Sequence, residues 1–395
     1  MPPDDVDVAA DMGAPMNLLL TGGGTGGHVY PALALADAAR RRDPAVRVLF
    51  VGSAVGMEAS LVPAAGIPFA GLAVRPPRGR APLRIAIALA TGAASLIQVI
   101  PIMARFRPDA IVATGGIAAA PAVVIGAACR VPVVVLEGNT MPGRINRVLG
   151  RMSRIIAVGS DATAKHFPGR RVAITGLPVR REVYAATRED GLRSFGLDPA
   201  RRTVLILGGS QGAARLNRAA EEALAFLGHR EDLQVLHQVG RGWSGPPLGP
   251  GRQGSGETFR GGRVPVVRVP YLEPIGPAYA CADLVVSRCG ATAVAEIAAC
   301  GKPALLIPYP FAAEDHQTHN AAPLVEAGAA VLIGDGALNG ETLAREIAAL
   351  LDAPERLAGM AARARAFGRP DAADRVMGVL GDICRLREAP QEVHG

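Results

Sequence analysis

Three glycine-rich stretches hold most of the chemistry open to this 395-residue chain. The first is Gly22-Gly-Gly-Thr-Gly-Gly-His28, which contains Gly-x-Gly-x-x-Gly at Gly22, Gly24 and Gly27. The second is Gly208-Gly209-Ser210-Gln211-Gly212, and the third is Ser287-Arg288-Cys289-Gly290-Ala291-Thr292. Glycines let main-chain N–H groups approach an anion closely, and a helix N-terminus adds partial positive charge. A phosphate or diphosphate suits all three. His28 closes the first loop. It reads as a helix cap or packed imidazole, or as a general base, because histidine's ordinary titration range suits proton transfer near neutral pH. Arg288 would add charge near a diphosphate. Glu296 follows within the helix opened by the third loop. It is either a solvent-facing carboxylate or an acceptor for two ribose hydroxyls.

Other chemistries lack their residues. A dinucleotide site needs an acid about 20 residues beyond the first loop, at the end of the second strand. That strand ends in Val51-Gly52-Ser53, and Glu58 comes too late. There is no Walker A lysine loop and no Gly-x-Ser-x-Gly elbow. Glu314-Asp315-His316-Gln317-Thr318-His319-Asn320 could bind a metal or hydrogen-bond a polyhydroxylated ligand. The two histidines are only three apart, without distant matching ligands, which favours the second reading. Five scattered cysteines without a Cys-x-x-Cys read as reduced thiols. Aromatic residues are 4% of the chain, too few for a base-stacking platform, so no nucleic acid partner is expected. The net charge of +7 fits anionic lipid headgroups or phosphorylated substrates.

The elements that would position these loops repeat one plan. Short apolar strands are expected at Asn17–Thr21, Val46–Val51, Ala110–Ala113, Val131–Leu136 and Arg154–Val158. A second set follows at Thr203–Leu207, Gln234–Gln238, Val264–Val269, Leu284–Ser287, Ala304–Ile307 and Ala330–Ile333. Helices at Pro31–Arg41 and Ala214–Leu227 follow the first two loops. Continuous apolar strands alternating with helices predict parallel sheets covered on both faces. The expectation is two doubly wound α/β domains facing a cleft, with ligands at the carboxyl ends of the strands. Their bounds would be 1–15 as an extension, 16–178, and 179–370, with a last helix at 371–388 packing back on the first domain. Met16 is a candidate true start. Gly240–Gly262 should form a long loop. Ala86–Ala104 is almost wholly apolar and lies beyond Arg75, Arg78, Arg80 and Arg84. It is a buried or domain-surface helix, a membrane-docking helix with a basic collar, or a span.

Four motifs together resemble one family. They are Thr21–His28 with Tyr30-Pro-Ala-Leu-Ala34, Gly208–Ala213, Arg288–Glu296, and His316-Gln-Thr-His-Asn-Ala321. The chain resembles the N-acetylglucosaminyltransferases that convert lipid I to lipid II in peptidoglycan synthesis. The resemblance runs from about Met16 to Val379. It implies a GT-B fold and inverting transfer from UDP-N-acetylglucosamine to the muramyl 4-hydroxyl of a polyprenyl-diphosphate-linked acceptor. No cofactor or metal is implied. The family pattern makes His28 the base, and puts Gly24, Thr25, Gly26 and Asn139 over the donor. Ser210, Gln211 and Arg180 would lie near the diphosphate, and Leu272 at uracil. Ala291, Thr292 and Glu296 would wrap the nucleotide, and Gln317 would contact the sugar. A peripheral place on the cytoplasmic face of the membrane, against anionic lipid, would follow. The chain departs from the family pattern at Ile117, Leu136, Gly138 and Leu177, mostly on the acceptor side. A same-fold transferase with another lipid-linked acceptor, or a UDP-N-acetylglucosamine epimerase or sensor, is the alternative.

Overall fold

The computed structural model describes residues 15–75, 82–209, 212–245 and 264–388. The expected extension at 1–15 lies almost wholly outside them, as do most of the expected loop Gly240–Gly262, Arg78, Arg80, Ser210 and Gln211.

Thirteen strands form two sheets among the described residues. The first sheet takes β1 Asn17–Gly22, β2 Arg47–Ser53, β3 Phe69–Leu72, β4 Ala110–Gly115, β5 Val133–Glu137, β6 Ile155–Val158 and β7 Val172–Ile174. Their order is β3-β2-β1-β4-β5-β6-β7. The second takes β8 Arg202–Leu207, β9 Leu233–Gln238, β10 Val266–Val269, β11 Leu284–Arg288, β12 Ala304–Ile307 and β13 Ala330–Leu332. Their order is β10-β9-β8-β11-β12-β13. The register pairs of both sheets are parallel. In each sheet the first strand has its sequence successor on one side and the fourth strand on the other, which creates a switch point. The first loop leaves β1 at one switch point, and the second leaves β8 at the other.

The sequence dictates this placement through burial. Leu18, Leu19 and Leu20 of β1 and Val204, Leu205 and Ile206 of β8 are buried on both faces. One face of the second sheet packs on Leu216, Ala220 and Leu227 of the helix Ala214–Leu227 and on Leu343 and Ile347. The other packs on Tyr279, Ile297 and Leu324. Truncating such a core leucine to alanine costs about 2–5 kcal/mol.

Two expectations change. The first helix runs Gly26–Arg42, so Pro31 is interior and the glycine loop itself supplies the first turn. His28 is therefore a first-turn residue. Two strands were not foreseen, β3 and β7, both short. The apolar stretch lies in the helix Pro82–Phe106, a domain-surface helix as one of its readings has it. Val99 and Met103 enter the core beside Leu19 and Ile111, while Ile87, Ile97 and Ile100 are exposed. No helix among the described residues is long and apolar enough to cross a membrane.

The chain divides into two compact units. The first comprises the described residues through Leu136, Ile145–Ile156 and the chain from Val376. The second comprises Glu137–Arg144 and Ala157–Arg375.

Candidate active site

In the first unit the pairing of β1 with β4 shifts register between Thr21 and Gly22, so that Gly22 pairs with Gly115. Such irregularities re-aim the chain beside sites. Here the Gly115 carbonyl accepts from the Gly23 N–H at 3.2 Å. Gly115 has a φ of +113°, and a Cβ there would sit 2.8 Å from Cδ2 and 2.9 Å from Nε2 of His28. Only glycine leaves room for that ring.

His28 is half-buried. Its Nδ1 lies 2.9 Å from the Gly23 carbonyl oxygen. A carbonyl can only accept, so in the neutral ring Nδ1 carries the proton and Nε2 keeps its lone pair. Thr25 Oγ1 lies 3.3 Å from the same nitrogen. Gly24 and Thr25 are exposed beside it, and Gly26 is half-buried. The imidazole is thus held in the tautomer a base requires.

The loop holds an acid that sequence reasoning dismissed. Glu58 is fully buried. Its Oε2 accepts from the Gly24 N–H at 3.0 Å and its Oε1 from the Ser53 N–H at 3.0 Å. The only sequence signal was an acid five residues beyond a strand ending in glycine and serine. It ties two main-chain amides and leaves the ribose-acid role unfilled.

In the second unit, Gly208 and Gly209 follow β8, and Gly212 precedes the helix Ala214–Leu227. Leu272 lies beyond β10, buried, with its N–H donating to Gln238 Oε1 at 3.0 Å. Arg180 is mostly buried and pairs with Glu182 at 2.7 Å and Glu273 at 2.9 Å.

The helix Ala291–Ala299 begins directly after β11. Ala291 and Thr292 form its first turn, and the buried Thr292 hydroxyl has no hydrogen-bond partner among the described residues. Glu296 is not solvent-facing, because it is only 7% exposed. Its Oε2 accepts from the Tyr279 hydroxyl at 3.1 Å. Burial pushes its pKa up to about 7, against the pull of Arg180. Arg288 spends Nη1 on Asp335 at 2.7 Å and on the Pro308 carbonyl at 2.8 Å. Much of its charge is therefore answered within the protein.

Gln317 Oε1 accepts from the N–H groups of Cys289 at 3.0 Å and Tyr309 at 2.9 Å. Those bonds fix the amide so that its NH₂ carries the remaining donors. Asn320 bonds the Asn139 oxygen at 3.1 Å and accepts from the Thr140 N–H at 2.9 Å. Glu137 in turn holds the Asn139 N–H at 2.8 Å and the Gly143 N–H at 3.0 Å. Gln238, Tyr279 and Asn320 were not singled out as site residues. Asn320 stood inside a quoted motif, and Gln238 ends an apolar strand with a polar side chain. No group of three or more His, Cys, Asp or Glu residues able to hold a metal occurs among the described residues.

Two parallel α/β sheets with glycine loops at their switch points and a tautomer-fixed histidine define a class that sequence comparison also finds. The glycosyltransferase family 28 N-terminal domain matches residues 18–158, and the family 28 C-terminal domain matches residues 203–376. The fold is GT-B in class. One relative is a UDP-N-acetylglucosamine–N-acetylmuramyl-(pentapeptide) pyrophosphoryl-undecaprenol N-acetylglucosamine transferase of Anaeromyxobacter dehalogenans. It is 41% identical over 374 residues, covering 94% of each chain. A relative with the same name from Desulfitobacterium hafniense is 39% identical, covering 93% of this chain and 99% of its own. A crystal structure of MurG from Acinetobacter baumannii superposes with a TM-score of 0.71 at 26% identity, covering 93% of this chain and all of the other. The chain belongs to this family of N-acetylglucosamine transferases.

Proposed function

We propose that the protein transfers N-acetylglucosamine from UDP-N-acetylglucosamine to the muramyl 4-hydroxyl of lipid I, giving lipid II. Donor and acceptor are those in the relatives' names. The observation that carries the chemistry is the bond between His28 Nδ1 and the Gly23 carbonyl. In this reading the free Nε2 takes the proton of the attacking hydroxyl. The hydroxyl oxygen bonds to the anomeric carbon as the bond to the diphosphate oxygen breaks, and UDP leaves with the electron pair. One displacement inverts the anomeric centre. A positioned base contributes roughly 10²–10⁴-fold.

The donor falls to the second unit. Main-chain amides of Gly208–Gly212 and the N-terminal turn at Ala291 and Thr292 are assigned to the diphosphate. Ser210, Gln211, Arg180 and Arg288 are assigned to its surroundings. The Leu272 carbonyl would accept from the base, and Glu296 from the ribose. The Gln317 NH₂ and Asn139 would hold the sugar, with Gly24, Thr25 and Gly26 closing over the donor. The first unit would take the acceptor and rest peripherally on the cytoplasmic face of the membrane. Exposed Ile87, Ile97 and Ile100 support that placement. So do exposed Ile145, Val148 and Met152 on the arginine-bearing helix Arg144–Met152.

The test offers radiolabelled UDP-N-acetylglucosamine with lipid I and with other polyprenyl-diphosphate sugars. Transfer to lipid I with inverted configuration is expected. Transfer to none of them would contradict the reading, and transfer only to another sugar would relocate it to a different acceptor.

A further inference from the structure

Beside Glu296 lies a phenol that the transfer reaction does not itself use. Tyr279 is fully buried. It belongs to the helix Gly276–Cys281, and its hydroxyl meets Glu296 Oε2 at 3.1 Å across 17 residues of chain. Burial, and then the neighbouring Glu296, raise the phenol well above its ordinary titration range. The hydroxyl therefore keeps its proton and donates, because an ionised carboxylate can only accept. The ring is packed into one core with Leu205, Val267 and Ile297. That packing fixes the direction of the ring, and with it the direction of the hydroxyl.

The bond divides the carboxylate. Oε2 takes the phenol, while Oε1 has no hydrogen-bond partner among the described residues. A carboxylate held at one oxygen by a rigid donor cannot turn freely about its last torsion, so the aim of Oε1 is set as well. One turn earlier on the same helical face stands Thr292, whose buried hydroxyl also has no partner among the described residues. Two polar groups with open valences thus share one face of the helix Ala291–Ala299. An open carboxylate oxygen, beside a second that keeps a lone pair, suits two neighbouring hydroxyls. Burial raises the Glu296 carboxyl to about 7, and the Tyr279 hydroxyl, after Arg180, pulls back toward the ionised form that such an acceptor needs.

We propose that Tyr279 is a positioning residue that sets the Glu296 carboxylate to accept both hydroxyls of the donor's ribose, and so makes the site select a ribonucleotide over its deoxy analogues. The inference rests on the assignment of Glu296 to the ribose and adds what orients it. An analogue without those hydroxyls leaves a buried carboxylate oxygen unpaired, which costs more than the net gain of one bond.

The experiment measures binding of UDP and of 2′,3′-dideoxy-UDP by competition calorimetry. The proteins are wild type, Tyr279→Phe, and a protein carrying 4-aminophenylalanine at position 279, each checked for native circular dichroism. Wild type should prefer UDP by about 30-fold, the order expected for hydrogen bonds to a charged group. Tyr279→Phe keeps the ring and loses the donor, so it should weaken UDP about tenfold and leave the dideoxy analogue within twofold. The aniline N–H replaces the lost donor and should restore the wild-type preference. An unchanged preference in Tyr279→Phe, or equal loss of both ligands, would overturn the positioning role. If Tyr279→Phe fails to fold, the 4-aminophenylalanine protein carries the test, with a retained preference expected and a lost one overturning the role. Wild type that binds both ligands equally would instead overturn the assignment of Glu296 to the ribose.

Discussion

The two glycine loops that leave β1 and β8 occupy the same topological place and face opposite chemical tasks. At β1 the protein supplies its own anion. Glu58 takes the Gly24 and Ser53 amides, and the loop then serves to carry an imidazole. At β8 the described ends of the loop are answered by uncharged carbonyls instead, the Gly208 N–H donating to Gln238 at 3.4 Å and the Gly212 N–H to Gly209 at 3.0 Å. The difference teaches that a switch point does not define a function. What differs is the charge of the group that answers the loop's N–H groups, a carboxylate at β1 and neutral carbonyls at β8.

The comparison breaks most visibly at its catalytic end. His28→Ala should lower kcat for labelled transfer by about 10³-fold. UDP affinity by calorimetry should stay within twofold, because the proposal gives the diphosphate to the other loop. Parallel losses in both would merge the two tasks. Replacing the internal anion is the next largest effect. Glu58→Gln keeps one acceptor but sets an amide donor against buried N–H donors, which should cost about 1–3 kcal/mol in urea denaturation. Transfer should fall as the His28 loop loosens, again with UDP binding kept. A variant as stable as wild type would show that the carboxylate does not organise the loop.

A smaller effect concerns the sugar. Gln317→Ala should raise the donor KM about tenfold by removing fixed donors, and the acceptor KM should hold. Equal shifts in both would detach Gln317 from the donor. The smallest effect is electrostatic. Glu296 has a folded-state pKa of about 7, above an ordinary carboxylate near 4.3. The folded protein therefore binds the extra proton between those values. This contribution to stability is fully present below the unfolded value and is lost as pH rises through about 7. The slope is at most ~1.4 kcal/mol per pH unit. Glu296→Gln should flatten that part of the stability profile, as followed by thermal melts across pH. An unchanged profile would place the titrating group elsewhere.

Much of this was legible in the residues. Central parallel strands are buried on both faces, so β1, β4, β8 and β11 announce themselves as unbroken apolar runs. β3 and β7 did not, because edge strands of four and three residues carry partly exposed side chains and no such run. The anion loops were visible because only glycine permits those approaches. The partners of their side chains were not, since they depend on distant chain returns. Glu58 meets Gly24 across 34 residues, and Tyr279 meets Glu296 across 17. Nothing local in Ala291-Thr-Ala-Val-Ala-Glu296 tells that the carboxylate is buried. Helix onset at Gly26 was missed because glycines argue against helix by propensity, while tertiary contacts at Gly115 and Gly23 hold the first turn in place.

The central claim is that a main-chain carbonyl holds the His28 imidazole with its proton on Nδ1. Nitrogen-15 NMR of the histidine-labelled protein, with His28→Ala used to assign the signal, reads that directly. The account predicts a protonated Nδ1 and a bare Nε2 in the neutral ring. A His28 ring carrying its proton on Nε2 would contradict it.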